Sequence, residues 1–221
     1  REMISRVWEK VKEAKTIDRA IVATDDDRIL NFCEKNKIDS IMTSDQHFTG
    51  SDRVAEVAQS IDSEIYVNVQ GDEPIIDPGS IDEVVNCLKR AIKQGIMVST
   101  GYIPEATIDQ LEDPSVGHLL PSLVETVITI SRYPLPYPMA EEMHRTVHVG
   151  LYAFTRAALL NYSSWKRGPI ERAESIEIMR FLEHGESIAC VPVASGSIGV
   201  DTPEDVRRVE KILVDTNETK S

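Results

Sequence analysis

What most constrains this chain is a rhythm: short β-branched apolar runs alternate with stretches of helical period, and each run ends in a polar turn. Ala20 to Ala23 runs into Thr24-Asp25-Asp26-Asp27, after which Ile29, Leu30 and Cys33 recur at helical spacing. Ile38 to Thr43 leads through a polar loop to Gly50 and a helix over Val54 to Ala58. Ile65 to Val69 leads into Gln70-Gly71-Asp72-Glu73-Pro74 and a helix from about Ser80 to Lys93. Strands alternating with helices in this way predict a parallel sheet covered on both faces. Ligands of such sheets bind beyond the carboxyl ends of the strands, so the loops after residues 24, 43 and 69 are the places for a site.

The rest of the chain keeps the two periods but changes their order. Met3, Val7, Trp8, Val11 and Ala14 open it as an amphipathic helix. After Met97 to Ile103, long strands are expected over Leu123 to Ile130 and Thr146 to Phe154. Between them, Tyr133-Pro134-Leu135-Pro136-Tyr137-Pro138 cannot supply ladder donors and reads as a loop or arm leaving the sheet. A helix over Ile170 to His184, a strand near Ile188 to Val193 and a helix over Pro203 to Leu213 follow, with Val214 to Ser221 as a frayed tail. No repeat or linker divides the chain, so residues 1–221 are expected to form one domain.

Charge and cysteine content narrow the function. Twenty-four Lys+Arg against 37 Asp+Glu give a net charge of −13, which disfavours non-specific binding to nucleic acid or an anionic membrane. A phosphate-bearing ligand then needs local basic groups or a metal. Residues 1–53 are nearly neutral, so the anion would be least repelled there. Cys33, Cys87 and Cys190 are three, far apart and without a CxxC pair, which suits reduced thiols in a cytoplasmic protein. No apolar run reaches the length of a transmembrane helix. The motifs of serine hydrolases, P-loop NTPases, Rossmann dehydrogenases and zinc proteases are all missing from the sequence.

Several segments carry residue types suited to chemistry. Gly71 lets the backbone turn at the end of a strand and presents Asp72, a hard oxygen donor placed to hold Mg²⁺. The same Gly-Asp pair also suits a plain solvated turn. Asp201, in Gly199-Val200-Asp201-Thr202-Pro203-Glu204-Asp205, is a second possible ligand, although capping by Thr202 or Asp201 with Pro203 in the first turn explains that segment equally well. Thr43, Ser44, Ser51 and Arg53 supply hydroxyls and a cation at a helix entrance, with Ser51 as the expected N-cap. His148 and Tyr152 lie four apart on one strand face, a spacing equally suited to core groups. Glu171, Glu174 and Glu177 recur every three residues as an acidic helix stripe, with Arg180 in reach of Glu174 or Glu177.

Taken together and in order, Ile21-Val22-Ala23-Thr24-Asp25, Met42-Thr43-Ser44, Gly50-Ser51-Asp52-Arg53-Val54-Ala55-Glu56, Val67-Asn68-Val69-Gln70-Gly71-Asp72-Glu73-Pro74, Ser131-Arg132, His148-Val149-Gly150-Leu151-Tyr152 and Gly199 to Asp205 resemble the 3-deoxy-manno-octulosonate (Kdo) cytidylyltransferases over nearly the whole chain. The resemblance implies a three-layer α/β/α fold with a mostly parallel, mixed sheet of the nucleotide-diphospho-sugar transferase type. It implies a homodimeric enzyme that transfers CMP from CTP to the anomeric hydroxyl of Kdo for lipopolysaccharide or capsule assembly. Under it, Asp72 and Asp201 are Mg²⁺ ligands, Gln70 contacts the sugar acid or nucleotide, and Thr43, Ser44, Ser51 and Arg53 face the cytidine. Arg132, His148, Tyr152, Glu174 and Glu177 belong to the sugar-acid pocket. The family opens with a strand and a basic loop of the type Pro-Ala-Arg…Ser…Arg…Pro-x-Lys that grips the triphosphate, and Arg1 to Val7 resembles the helix after that loop. The expectation is therefore a domain without its first strand and phosphate loop. The alternatives are a cytidylyltransferase for 8-amino-Kdo or sialic acid, which the spelling of residues 67–74 favours less in the sialic acid case, or a non-catalytic nucleotide-binding remnant.

Overall fold

The computed structural model describes residues 2–140, 143–194, 199–200 and 202–218, with side chains to residue 214. Its elements follow the alternation through the first half. Helix α1 (Met3–Glu13) precedes β1 (Val22–Thr24), α2 (Asp27–Lys35), β2 (Ser40–Met42), α3 (Gly50–Ser60), β3 (Ile65–Val69) and α4 (Pro78–Ala91), which a 3₁₀ turn over Ile92–Gln94 extends. Local chemistry sets the helix starts. Asp26 accepts the Arg28 amide, Asp77 accepts the Ser80 amide with Pro78 beside it, and Thr49 accepts the Asp52 amide. Thr49 rather than Ser51 is thus the N-cap of α3, and Ser51 is fully buried inside the first turn.

The second half comprises β4 (Val98–Ile103), α5 (Ile108–Glu112), β5 (His118–Pro121), β6 (Val127–Ser131), β7 (Val147–Thr155), α6 (Arg156–Ser164), α7 (Pro169–Glu174), α8 (Met179–Glu183), β8 (Ala189–Pro192) and α9 (Pro203–Glu218). Strands β1 and β2 pair in parallel, and β5 and β6 form an antiparallel hairpin. The central sheet has the order β3-β7-β4-β8. In it β3, β4 and β8 share one direction, and β7 runs antiparallel between β3 and β4. The sheet is mostly parallel and mixed. The purely parallel arrangement that the strand–helix rhythm predicts fails at β7, which enters after the β5–β6 excursion rather than through a βαβ crossover.

Side chains alternate across this sheet into two cores. On one face Tyr66, Tyr152, Phe154 and Cys190 pack with Ala55, Leu159, Tyr162 and Phe181 of α3, α6 and α8. On the other, Val149, Leu151, Ala153 and Val191 pack with Ile81, Val84, Val85 and Leu88 of α4. Three layers result, with the ends of β3 and β7 opening between them.

Three expectations need correcting. The strand expected over Leu123 to Ile130 is shorter, because Leu123 and Val124 lie exposed in the hairpin turn and β6 begins at Val127. The helix expected over Ile170 to His184 is two, because Ser175 takes a left-handed conformation (φ 51°) that closes α7. The tail from Val214 is not frayed at its start, since α9 continues to Glu218. Its start is fixed by a reciprocal cap, in which Thr202 Oγ1 accepts the Asp205 amide and the Asp205 carboxylate accepts the Thr202 amide.

Candidate active site

A cleft of about 1220 Å³ lies over the ends of β3 and β7. Its floor is built around Glu177, which is 8% exposed although it is a carboxylate. One oxygen accepts the Ser51 amide at 2.7 Å, and the other accepts the Gln70 side-chain amide at 2.7 Å and that of Asn68 at 3.3 Å. The Ser51 amide belongs to the first turn of α3, so the helix dipole adds to these bonds. Burial is the largest influence on the Glu177 pKa and raises it, with the Ser51 and Gln70 donors pulling the other way. Two of the three elements meeting here, β3 and α3, were expected at the site; Glu177 reaches them because of the break at Ser175.

The break also overturns the acidic stripe. Glu171 is fully buried and pairs with Arg180 at 2.7 Å, and Arg180 reaches Asp52 of α3 at 2.8 Å. Arg180 therefore pairs with neither Glu174 nor Glu177. This ion cluster ties α7 and α8 to the start of α3 and holds Glu177 in place. Glu174 accepts from the Ser131 hydroxyl at 2.9 Å and the Arg132 amide at 2.8 Å. It fixes the end of β6 rather than lining the cleft.

Arg132 does line the cleft, and its guanidinium donates to the carbonyls of Glu174, Ser175 and Ser115. His148 and Tyr152 share one face of β7, with ring centroids 5.7 Å apart and planes at 25°. The Thr100 hydroxyl lies 3.0 Å from the Leu151 carbonyl, to which it donates, and 3.3 Å from His148 Nε2. That arrangement favours an Nε2–H imidazole. Burial, and then the Arg132 charge, push the His148 pKa down to about 3, so the ring is neutral near pH 7. Burial raises the Tyr152 pKa, and the nearby Glu177 and Glu73 charges add to it.

Asp72 and Glu73 sit together in the turn after β3. A Cβ at Gly199 would lie 4.0 Å from Asp72 Oδ2, whereas one at Gly150 would lie 3.4 Å from Glu73 Oε1. The Val200 amide donates to the Asp72 carbonyl at 3.0 Å, which brings the segment before Asp201 alongside Asp72. Asp201 itself lies outside the described residues. Among the described residues no three His, Cys, Asp or Glu side chains converge on a metal position. A hard carboxylate at Asp72, facing a chain segment that leads into a second one, still fits Mg²⁺ sharing its shell with phosphates.

The expected nucleotide residues form a separate cluster at the ends of β1 and β2. Arg53 donates to Thr43 Oγ1 at 2.5 Å and pairs with Asp25 at 3.1 Å, and the Ser44 amide donates to Glu56 at 3.0 Å. Thr43, Ser44 and Arg53 do not line the 1220 Å³ cleft, and Ser51 faces Glu177 instead of this cluster. Sequence reasoning missed Asn68, Thr49, Phe48 and Glu73. Phe48 stands exposed at the mouth beneath the Arg167 guanidinium, 5.2 Å from its ring centroid. Asn68 and Glu73 had a visible signal, their place in the segment around Gln70 and Asp72. Gly50 belongs with Asn68, because a Cβ there would come within 3.0 Å of the Asn68 amide and 3.1 Å of Gln70 Oε1.

Comparison with known proteins bears on this geometry. The cytidylyltransferase family profile matches residues 1–188. The 3-deoxy-manno-octulosonate cytidylyltransferase of Syntrophotalea carbinolica is 37% identical over 221 residues, covering 96% of this chain and 88% of the relative. Its namesake from Myxococcus xanthus is 37% identical over 217 residues, covering 96% and 86%. A solved CMP:2-keto-3-deoxy-manno-octonic acid synthetase complexed with CTP superposes with a TM-score of 0.89 at 31% identity, covering 97% of this chain and 88% of the other. A putative glucose-1-phosphate thymidylyltransferase from Bacillus anthracis shares the fold at a TM-score of 0.64 and 13% identity. The chain belongs to the cytidylyltransferase family, a family of nucleotidyltransferases, and falls among relatives that bear the name 3-deoxy-manno-octulosonate cytidylyltransferase.

Proposed function

We propose that this chain transfers CMP from CTP to the anomeric hydroxyl of Kdo and releases pyrophosphate, as a cytoplasmic step toward lipopolysaccharide or capsule. The observation that carries the reading is the seam of Glu177, Gln70 and Ser51 beside Asp72, in a cleft whose chain is 37% identical to relatives of that name. Gln70, Arg132, His148, Tyr152 and Glu177 take the sugar acid, and Glu174 positions Arg132. Thr43, Ser44 and Arg53 take the cytidine, with Ser51 acting through Glu177. Asp72 and Asp201 hold Mg²⁺, which when bound supplies charge neutralisation on the triphosphate.

The protein's own part is positioning. The Glu177 bonds lock the Gln70 amide, and Arg132 brings positive charge to the wall that a sugar carboxylate would face. His148 is neutral and can orient a hydroxyl without adding charge. The acidic chain and its pI near 4.8 fit neither nucleic acid nor an anionic membrane as a partner. The exposed Tyr133, Tyr137 and Met139 of the proline-rich arm support a homodimer.

Pyrophosphate release from CTP tests the activity, with Kdo, 8-amino-Kdo and sialic acid compared in the presence of Mg²⁺. Turnover with Kdo is expected and none with sialic acid; turnover confined to another acid overturns the assignment. Asp72→Asn should lower magnesium-dependent turnover by at least about a hundredfold at unchanged stability. Normal turnover in that variant would remove Asp72 from the metal site.

A further inference from the structure

Glu73 is a buried cleft carboxyl to which the reading above gives no task. It is 8% exposed, and its Oε2 is buried with no hydrogen-bond partner. An unpaired buried carboxyl oxygen is costly, so a ligand group that satisfies it has a physical reason to be there. The side chain lines the cleft and occupies the gap left by Gly150, where an added Cβ would meet Glu73 Oε1 at 3.4 Å and Gln70 Cγ at 3.7 Å. It thus lies next to Gln70 on the floor.

The surroundings select the class of ligand group. Asp72 is the adjacent charge, so a carboxylate or phosphate would be repelled at Glu73, while Arg132 offers an anion a better place in the same cleft. A cation at Glu73 would lack a full set of ligands, because among the described residues no three His, Cys, Asp or Glu side chains converge on one position. A neutral hydroxyl, which can donate to or accept from a carboxyl oxygen, fits. We propose that Glu73 is a specificity-determining residue of the cleft, its Oε2 hydrogen-bonding one hydroxyl of the sugar acid. This rests on the reading of the cleft as a Kdo site.

The test compares wild type, Glu73→Gln and Glu73→Leu in steady-state pyrophosphate release. Kdo and a series of Kdo analogues, each lacking one hydroxyl, serve as acceptors. Glu73→Leu should raise KM for Kdo roughly tenfold or more while KM for CTP stays within about twofold. Glu73→Gln, which keeps hydrogen-bonding atoms, should recover most of that loss. One analogue should be poor for wild type yet no worse for Glu73→Leu than Kdo is, which identifies the contacted hydroxyl. If Glu73→Leu does not fold, the Gln variant must show the same analogue with a smaller extra penalty. Unchanged KM for Kdo, an equal rise in KM for CTP, a penalty equal across all analogues, or loss of Mg²⁺ affinity would each overturn the proposal. If wild type does not use Kdo at all, the functional reading fails first and this inference falls with it.

Discussion

Around Glu177 both carboxylate oxygens are engaged by donors from α3 and β3, behind a wall closed by the Glu171–Arg180–Asp52 cluster. Around Arg53 the arrangement is looser. The guanidinium bridges Thr43 and a half-exposed Asp25, with the neighbouring loop running through exposed Ser44, Asp45 and Phe48. The first region is assembled before any ligand arrives, and its bonds are shielded from water. The second is held by an ion pair whose Asp25 end is open to water, which contributes less to folding and stays open to rearrangement. Damage to the two regions should therefore register in different measurements.

The largest effect is expected at Glu177. Glu177→Leu leaves the Ser51 amide, Gln70 and Asn68 without their acceptor and should cost about 2–4 kcal/mol in urea unfolding, along with activity. Glu177→Gln, which keeps one acceptor oxygen, should recover part of the stability. If Glu177→Leu lost activity at wild-type stability, the picture of a preassembled floor would break. Arg53→Ala should behave oppositely. Its stability should change by less than about 1 kcal/mol, while KM for CTP rises about tenfold and KM for Kdo holds. An equal rise for both substrates would erase the distinction.

A smaller effect concerns pH. Burial first, and then the Asp72 charge, raise the Glu73 pKa from 4.5 to about 8. The folded state then holds a proton that the unfolded chain has released, so folding stability should fall as pH rises through that window. Thermal melts of the ligand-free protein from about pH 5 to 8 should show the decline, and Glu73→Gln should flatten it. An unchanged slope in the variant would place the titration elsewhere, with Glu177 the first alternative because its pKa is raised in the same direction.

The strand–turn order of the first half was legible because it depends on local periodicity. Ile65–Val69 falls where its alternation predicts, and Asp72 sits in the turn that Gly71 permits. Fidelity declines where long-range packing decides. His118–Pro121 is a short strand paired only through its hairpin, so its few residues carry too little pattern to detect. Ser175 has no sequence signal for a left-handed residue, and without it Glu171, Glu174 and Glu177 read as one solvated stripe. The structure sends them to three destinations: a buried ion pair, the end of β6 and the cleft floor.

By itself the sequence determined the layers, the loops that carry the chemistry and the residues that identify the family, because periodicity and turn chemistry act over neighbouring residues. Only the tertiary structure decided that β7 runs against its neighbours, that Arg180 serves Glu171 and Asp52, and that Glu177 is an acceptor while Glu73 remains unsatisfied. These depend on which groups lose water together, and a buried charge or orphaned oxygen is defined by distant parts of the chain that sequence spacing does not bring into view.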